Sequence, residues 1–185
     1  MLKRTFDAMA SLLLLVPLLP VLLGTSVLIL LDSKGGVFYR QERVGRFGKT
    51  FYILKFRSMV ANADQIGGYS TSEGDVRITK VGGFLRKTSL DELPQVLNVL
   101  LGDMSLVGPR PDVPAQRQHY SQEEWDKRNS VRPGITGLAQ ATLRSTATPR
   151  QRTMLDLEYV DKQSFLFDMK ILLMTVKQVV GKGSY

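Results

Sequence analysis

The sequence contains no cysteine and a single histidine, His119. The absence of cysteine excludes disulfide bonds, thiolate nucleophiles and cysteine zinc sites. One histidine also leaves little room for catalytic machinery built on Ser-His-Asp or Cys-His pairs. Acid, base or nucleophilic chemistry must therefore fall on carboxylates, lysines or tyrosines.

Acidic residues are scarce relative to basic ones. The chain of 185 residues has 17 Asp and Glu against 25 Lys and Arg, which gives a formal net charge of +8. This imbalance predicts an anionic partner, either nucleic acid, phospholipid headgroups or phosphorylated metabolites. Charge alone does not distinguish among them. The length predicts one folded domain with room for an appendage.

The chain has one long apolar run, from Ala8 to Leu31, which contains no charged residue and is long enough to span a bilayer. Lys3 and Arg4 precede it, and basic residues outnumber acidic ones in the stretch 32–60 that follows. By the positive-inside rule, both flanks are predicted to be cytoplasmic.

Pro17 and Pro20 interrupt this apolar run near its middle. Each proline removes a backbone hydrogen bond and bends a helix by steric clash. A bent helix could enter and leave the membrane through the same face. An ordinary kinked span remains the alternative, because membrane helices tolerate proline when other groups satisfy the freed carbonyls.

The rest of the chain shows a mixture of strand and helix patterns. The first half is predicted to contain two strands at 37–44 and 50–59 joined by a short loop, then a loop at 62–75 and an apolar helix ending at Gly102. The second half is predicted to contain a polar helix at 115–129, a loop and short strand in SVRPGITGLAQ, and an amphipathic helix at 164–180. In the second strand, alternation places Lys55 and Arg57 on one face. The last helix is too charged to span a membrane, and either packs on the core or lies in the membrane interface.

Adjacent carboxylates, Asp91 and Glu92, stand at the start of the apolar helix. Ser89 and Glu92 have the spacing of a capping box, whereas Pro94 favours a later helix start. In either register the acids lie near a helix N-terminus, where both are expected to be ionised at neutral pH and an anion could dock. Simple capping is the alternative interpretation.

Several cations accompany these acids. Arg110 lies between Pro109 and Pro111, which restrict the backbone and orient its guanidinium group for bidentate phosphate binding. Arg86 lies just upstream of the acids. Carboxylates among cations beside a membrane indicate a diphosphate with a divalent metal, the acids serving as metal ligand or nucleophile.

Three long motifs follow the apolar segment in a fixed order: FYRQERVGRFGKTFYILKFRSM, TSLDELPQVLNVLLGDMSLVGPRP and RPGITGLAQ. Together they resemble the bacterial sugar transferases, also called monotopic phosphoglycosyl transferases, and the chain looks like the minimal catalytic form. The resemblance implies transfer of a sugar phosphate from a UDP-sugar to polyprenol phosphate, with Mg²⁺ or Mn²⁺ and release of UMP. It also favours the re-entrant helix.

Carried over by this resemblance, Asp91 is the nucleophile and Glu92 a metal ligand. Lys55, Arg86 and Arg110 match family motifs and are expected to bind substrate phosphates. One departure is visible, because Val16 precedes Pro17 where the family often places serine.

The predicted fold class is α+β: a re-entrant membrane helix in residues 1–33, then a small mixed helix and strand catalytic domain in residues 34–185 with interfacial amphipathic helices. The predicted location is the cytoplasmic face of the bacterial inner membrane, in contact with phospholipids. Two other functions remain open on the residues alone: a membrane-tethered basic nucleic-acid-binding protein, and a membrane scaffold. Neither is supported by a nucleic-acid motif or by a large recognition surface.

Overall fold

A computed structural model describes residues 2–68, 74–143 and 148–181. The elements are, in chain order, α1 Leu2–Asp32, β1 Phe38–Val44, β2 Thr50–Phe56, α2 Ala63–Ile66, α3 Lys80–Thr88, α4 Gln95–Leu101, β3 Ser105–Val107, α5 Gln122–Arg128, β4 Gly134–Thr136, α6 Leu138–Leu143, α7 Pro149–Lys162 and α8 Phe165–Gly181. Short 3-10 turns cover Arg46–Gly48, Leu90–Glu92 and Pro114–His119. The structure is thus a long N-terminal helix joined to a mixed helix and strand domain, as predicted.

Helix α1 is buried near its two ends and exposed in its middle. Asp7 and Ser11 are buried at one end, and Thr25 and Ile29 at the other. The apolar side chains between them are largely exposed. An exposed apolar surface of this size is typical of a site that contacts a membrane or another protein. The helix is long and apolar enough to cross a membrane, and its exposed middle is consistent with a membrane anchor.

The N-terminal end of α1 is bound to the domain by charged side chains. The Arg4 guanidinium group donates to the carbonyls of Val99 and Leu100 at 2.6 and 2.7 Å, which caps the C-terminal end of α4. Asp7 accepts from the Ser105 hydroxyl at 2.8 Å and from the next backbone amide of β3 at 3.2 Å. These contacts fix the first two turns of α1 against α4 and β3.

The C-terminal end of α1 is bound to the same domain by a different set of groups. The Arg57 guanidinium group, just after β2, donates to the carbonyls of Ser33 and Lys34 at 2.7 and 2.8 Å. The Asp32 carboxylate accepts from the amide of Val81 in the first turn of α3 at 3.0 Å. Both ends of α1 therefore contact one domain.

Two small sheets support the loops between the helices. Strands β1 and β2 form an antiparallel hairpin that pairs Tyr39 with Lys55. Strands β3 and β4 pair in parallel. The backbone of Gly108 approaches that of Gly134 so closely that a Cβ on Gly134 would lie 2.1 Å from the Gly108 nitrogen. Only glycine fits there, and the loop that follows β3 is thereby held beside β4.

The main core lies between α4, the β3–β4 sheet and helices α6 to α8. Its buried side chains include Val99, Met104, Val107, Tyr159 and Ile171. A polar network crosses this core, in which the Tyr159 hydroxyl lies 2.8 Å from an Asp168 oxygen and Lys3 pairs with the same carboxylate at 2.5 Å. The first turn of α1 is therefore joined to α7 and α8.

Several predicted elements differ in extent. The second strand ends at Phe56 rather than residue 59, and the predicted polar helix at 115–129 is divided into the Pro114–His119 turn and α5. Helix α7 has no counterpart among the predicted elements, since its composition is polar. Helix α8 is present and both buries Ile171 in the core and exposes Leu166. The predicted loop at 62–75 contains the short helix α2, and its residues 69–73 lie outside the described range.

Candidate active site

All five predicted site residues line one cavity of about 900 Å³. They come from four parts of the chain: Lys55 from β2, Arg86 from α3, Asp91 and Glu92 from the turn after α3, and Arg110 from the loop after β3. The fold therefore brings residues from four separate segments together around the same cavity.

The two acids lie in the 3-10 turn Leu90–Glu92, between α3 and α4. Ser89 adopts a left-handed conformation with φ of 57° and makes no side-chain cap, so the capping-box interpretation is wrong. The later helix start is correct, because Pro94 precedes α4. The reversal of direction at Ser89 turns the chain so that the acids face the cavity rather than begin a helix.

The Glu92 carboxylate bridges two cations. Lys55 Nζ donates to Glu92 Oε1 at 2.8 Å. The Arg110 guanidinium group binds both carboxylate oxygens, with one bond to Oε2 at 3.1 Å and a second to Oε1. Burial alone would raise the pKa of Glu92, but Arg110 and Lys55 outweigh it and hold the pKa well below its usual range.

The Asp91 carboxyl group has a different environment. It is 9 % exposed and makes no hydrogen bond or ion pair with any residue in the described ranges. Burial and the neighbouring Glu92 raise its pKa, against the opposing effect of the cations. The environment therefore distinguishes two acids that spacing alone treated alike, because burial and Glu92 act against the charged form of Asp91 whereas Lys55 and Arg110 favour the charged form of Glu92.

The remaining predicted cations differ in their partners. Burial lowers the pKa of Lys55, and Glu92 only partly offsets this effect. Arg86 donates to the Ser58 hydroxyl at 2.9 Å and faces the same cavity. Arg57 also lines the cavity, but its guanidinium group is bound to the end of α1 and does not act together with Lys55 as the strand pattern suggested.

The loop that carries Arg110 is held by its carbonyl groups. Arg43 donates to the Pro111 carbonyl at 2.9 Å, and Arg128 donates to the Arg110 carbonyl at 2.6 Å. Arg128 is fully buried and pairs with Asp112 at 2.7 Å and Asp156 at 2.9 Å. The direction of the Arg110 side chain thus depends on a buried charge cluster formed by Arg128, Asp112 and Asp156.

Sequence reasoning did not select Arg43 or this buried cluster. For Arg43 the signal was present, since Tyr39, Gln41 and Arg43 alternate along β1 and all three line the cavity. For Arg128 the signal was misleading, because it lies in the segment 115–129 predicted to be a polar helix, and polar helix faces are usually exposed. Its burial depends on Asp156 in α7, which is distant in sequence.

The two acids are a donor set that suits a hard divalent cation bound together with substrate. The described part of the chain contains no group of three or more His, Asp or Glu side chains that could hold a metal by itself. Mg²⁺ commonly takes one or two carboxylates and completes its octahedron with phosphate oxygens and water. Asp91 has both oxygens free of hydrogen bonds to described residues, whereas those of Glu92 are largely occupied.

Comparison with protein families gives one match across nearly the whole chain. A family model described as bacterial sugar transferase matches residues 1–182. Such coverage includes α1, both acids and all the cavity-lining cations named above. The match favours an enzyme over the nucleic-acid-binding and scaffold alternatives.

Individual relatives carry related names. The chain is 44 % identical, over its full length, to the UDP-glucose:undecaprenyl-phosphate glucose-1-phosphate transferase of Escherichia coli strain K12, and spans 42 % of that protein. It is 43 % identical over 96 % of its length to the undecaprenyl-phosphate glucose phosphotransferase of Komagataeibacter xylinus, of which it spans 36 %. It is 43 % identical over 97 % of its length to the uncharacterized sugar transferase EpsL of Bacillus subtilis strain 168, of which it spans 87 %.

We expect Arg128→Met to destabilise the protein by about 3–5 kcal/mol at neutral pH, because it leaves the carboxylates of Asp112 and Asp156 buried without their partner. The loss should shrink as the pH falls. Unpaired buried carboxylates have raised pKa values in the folded state, so protonation below those values relieves the cost. Thermal unfolding in detergent at several pH values measures both effects.

Arg150→Met is the matched control, since Arg150 is exposed and pairs with Glu124 at the surface. Exposed ion pairs contribute little, so its melting temperature should stay close to that of the unmodified chain. Equal melting temperatures for the two variants would contradict the structural role assigned to the buried cluster.

Proposed function

The chain belongs to the bacterial sugar transferase family, and we propose that it moves a sugar phosphate from a UDP-sugar to polyprenol phosphate through a covalent intermediate on Asp91. UMP is released in the first half of this reaction. The acceptor lipid corresponds to the undecaprenyl phosphate named for the relatives from Escherichia coli and Komagataeibacter xylinus. The reaction would begin the assembly of a lipid-linked glycan.

The observation that carries this proposal is the difference between the two acids. A nucleophile needs an unshared electron pair that is free to attack, and the Asp91 oxygens have no hydrogen-bond partner in the described part of the chain. The Glu92 oxygens instead accept three hydrogen bonds from Lys55 and Arg110. The geometry therefore supports Asp91 as nucleophile, a choice that the family resemblance suggests independently.

In the first step an Asp91 oxygen attacks the sugar-linked phosphorus of the UDP-sugar. A bond forms between that oxygen and phosphorus, and the bond from the same phosphorus to the bridging oxygen breaks. The electron pair leaves with UMP. An ionised carboxylate needs no general base, which suits a chain with one histidine that does not line the cavity.

In the second step a phosphate oxygen of polyprenol phosphate attacks the same phosphorus. The bond to Asp91 breaks, the carboxylate is regenerated, and the product is a polyprenyl diphosphate sugar. The acceptor phosphate is already ionised, so this step also transfers no obligatory proton. Two half-reactions let the nucleotide leave before the lipid phosphate approaches, which avoids crowding several anions in one cavity.

The cations supply phosphate binding. Lys55 uses one of its N–H groups on Glu92, and the planar Arg110 fork retains further N–H donors beyond those that bind Glu92. Arg86 lines the same cavity. Glu92 keeps Lys55 and Arg110 together, so that their remaining donors are oriented before the diphosphate binds.

A divalent cation fits this site through Asp91 and Glu92. When bound, Mg²⁺ or Mn²⁺ would neutralise charge on the diphosphate as a Lewis acid. Glu92 accepts three hydrogen bonds, which leaves about one of the four acceptor sites of its carboxylate, on Oε2, for the metal-ligand role that the family resemblance implies.

The membrane arrangement is proposed from the two ends of α1. Both are bound to one domain, through Arg4 and Asp7 at one end and Asp32 and Arg57 at the other. Because both ends of α1 contact the same domain, they are expected to lie on the same side of the membrane, which supports a re-entrant helix rather than one that crosses the bilayer. Basic flanks support a cytoplasmic orientation, and exposed apolar side chains such as Leu166 support an interfacial position for α8.

Enzyme incubated with radiolabelled UDP-sugar, without polyprenol phosphate, is expected to retain one sugar phosphate per chain. Asp91→Asn should retain none, because an amide is a poor nucleophile. Initial rates against both substrates should give the parallel double-reciprocal lines of a ping-pong mechanism. Intact mass spectrometry of the trapped protein measures the adduct directly.

Glu92→Gln is the matched control for this experiment, because it alters the neighbouring carboxylate and leaves the nucleophile in place. It should form the adduct slowly. An adduct on Asp91→Asn, or intersecting lines with no adduct on the unmodified chain, would contradict the covalent route.

Chelation of divalent cations should abolish turnover, because Lys55 and Arg110 are already paired with Glu92 and the diphosphate would approach the Asp91 carboxylate without a metal ion to offset its charge. UMP release in excess EDTA measures the effect, and addition of Mg²⁺ beyond the chelator should restore the rate. Full activity in EDTA would remove the metal from the mechanism.

The chain contains no cysteine, so single cysteines report membrane topology without background. Leu2→Cys and Lys34→Cys, at exposed positions near the two ends of α1, should both resist a membrane-impermeant thiol reagent in intact cells. Both should react after the cells are permeabilised. Labelling of either cysteine from outside would contradict the proposed re-entrant, cytoplasmic arrangement.

A further inference from the structure

The side of the cavity formed by β4 and α6 holds a polar group that the proposed mechanism does not use. Gln140 lines the same cavity as Asp91 and Glu92. Its amide nitrogen and amide oxygen are both buried, and neither has a hydrogen-bond partner among the described residues. A buried amide without partners costs free energy, so a ligand that hydrogen-bonds to Gln140 would remove an unfavourable contribution from this position.

The neighbouring polar groups are already engaged. The hydroxyls of Thr136 and Thr175 bind each other at 2.8 Å, and the Gln178 amide donates to the Ala141 carbonyl at 2.6 Å. Ile135 and Ala139 add apolar surface to this part of the cavity. Gln140 is therefore an uncharged donor and acceptor pair next to an apolar wall.

We propose that this wall, formed by Ile135, Ala139 and Gln140, binds the uracil ring of the UDP-sugar, and that the Gln140 amide pairs with the imide edge of the base. The inference rests on the proposed function and deepens it. Uracil presents an N–H donor beside a carbonyl acceptor, and a primary amide complements that edge with two hydrogen bonds. The same kind of bidentate pairing underlies recognition of bases by Asn and Gln in nucleic-acid complexes.

The chemistry of the wall favours the base over the other parts of the substrate. The phosphate groups are proposed to bind the cations Lys55, Arg86 and Arg110. Gln140 carries no charge and is therefore a poorer partner for a phosphate than for an uncharged group. A sugar presents hydroxyls in several directions and would be expected to meet several free polar groups. Because the hydroxyls of Thr136 and Thr175 bind each other, the Gln140 amide lies beside the apolar side chains of Ile135 and Ala139, an arrangement that suits the edge and face of a planar ring.

Binding of UMP and of 3-methyl-UMP to the purified full chain, measured by calorimetry in Mg²⁺, tests this proposal. The methyl group removes the N–H donor of the base. The unmodified chain should bind UMP more tightly than 3-methyl-UMP. Gln140→Met, which keeps the length of the side chain, should weaken UMP binding by about tenfold, as expected for the loss of one or two hydrogen bonds. The variant should also bind the two nucleotides equally.

Gln118→Met is the matched control, because Gln118 is exposed and lies outside the cavity lining. It should retain the affinity and the preference of the unmodified chain. Thermal unfolding without nucleotide provides a second readout. Gln140→Met should be at least as stable as the unmodified chain, since it removes an unpaired buried amide, whereas a Gln140 held by a structural water would make the variant less stable.

The remaining outcomes separate this inference from the proposed function. Unchanged UMP affinity in Gln140→Met, or a persisting preference for UMP over 3-methyl-UMP, overturns the uracil site while leaving the transferase reaction intact. Unchanged UMP affinity with a raised KM for the UDP-sugar would instead assign Gln140 to the sugar, and also overturns the proposal. No binding of UMP to the unmodified chain would contradict the proposed function itself.

Discussion

The active site depends on one carboxylate that holds two cations. Glu92 joins β2, the turn after α3 and the loop after β3 through its bonds to Lys55 and Arg110. Two cations brought this close would repel each other in a buried cavity, and the negative charge between them removes that cost. Because both cations bind Glu92, the adjacent Asp91 makes no hydrogen bond or ion pair with the described residues. In the proposed mechanism, one acid thus positions the cations that bind phosphate, and the other remains available to react.

The Arg110 side chain reaches Glu92 from a loop whose backbone is held by hydrogen bonds on the side away from the cavity. The prolines on either side have no N–H group to donate, so the loop is held through its carbonyls, which accept from Arg43 and Arg128. Arg128 in turn is held by Asp112 and Asp156. A charge cluster buried away from the cavity therefore helps to fix the backbone of Arg110, whose side chain lines the cavity. Helix α7 contributes Asp156 to this cluster, and its Arg152 lines the cavity directly.

The sequence predicted which residues form the site better than it predicted how they are paired. Asp91, Glu92, Lys55 and Arg110 could be selected because motifs and proline positions are local signals. Their pairing could not, because Lys55 is 37 residues from Glu92 and the contact exists only once β2 packs beside the turn. The same limit explains the polar helix α7, whose buried Asp156 gives no apolar periodicity. The left-handed Ser89 was not predicted either, because residues other than glycine seldom adopt this conformation and serine carries no local signal for it.

The apolar helix α1 is connected to the two acids through few intervening residues. Arg57 binds the C-terminal end of α1, and Lys55, two residues earlier in the same stretch, binds Glu92. At the other end, Arg4 caps α4, which directly follows the turn that carries both acids. Both ends of the apolar helix are therefore linked by hydrogen bonds to segments next to Asp91 and Glu92. If α1 lies in the bilayer, the fold sets the depth of the cavity relative to the lipid headgroups, which the proposed transfer to a membrane-embedded acceptor requires.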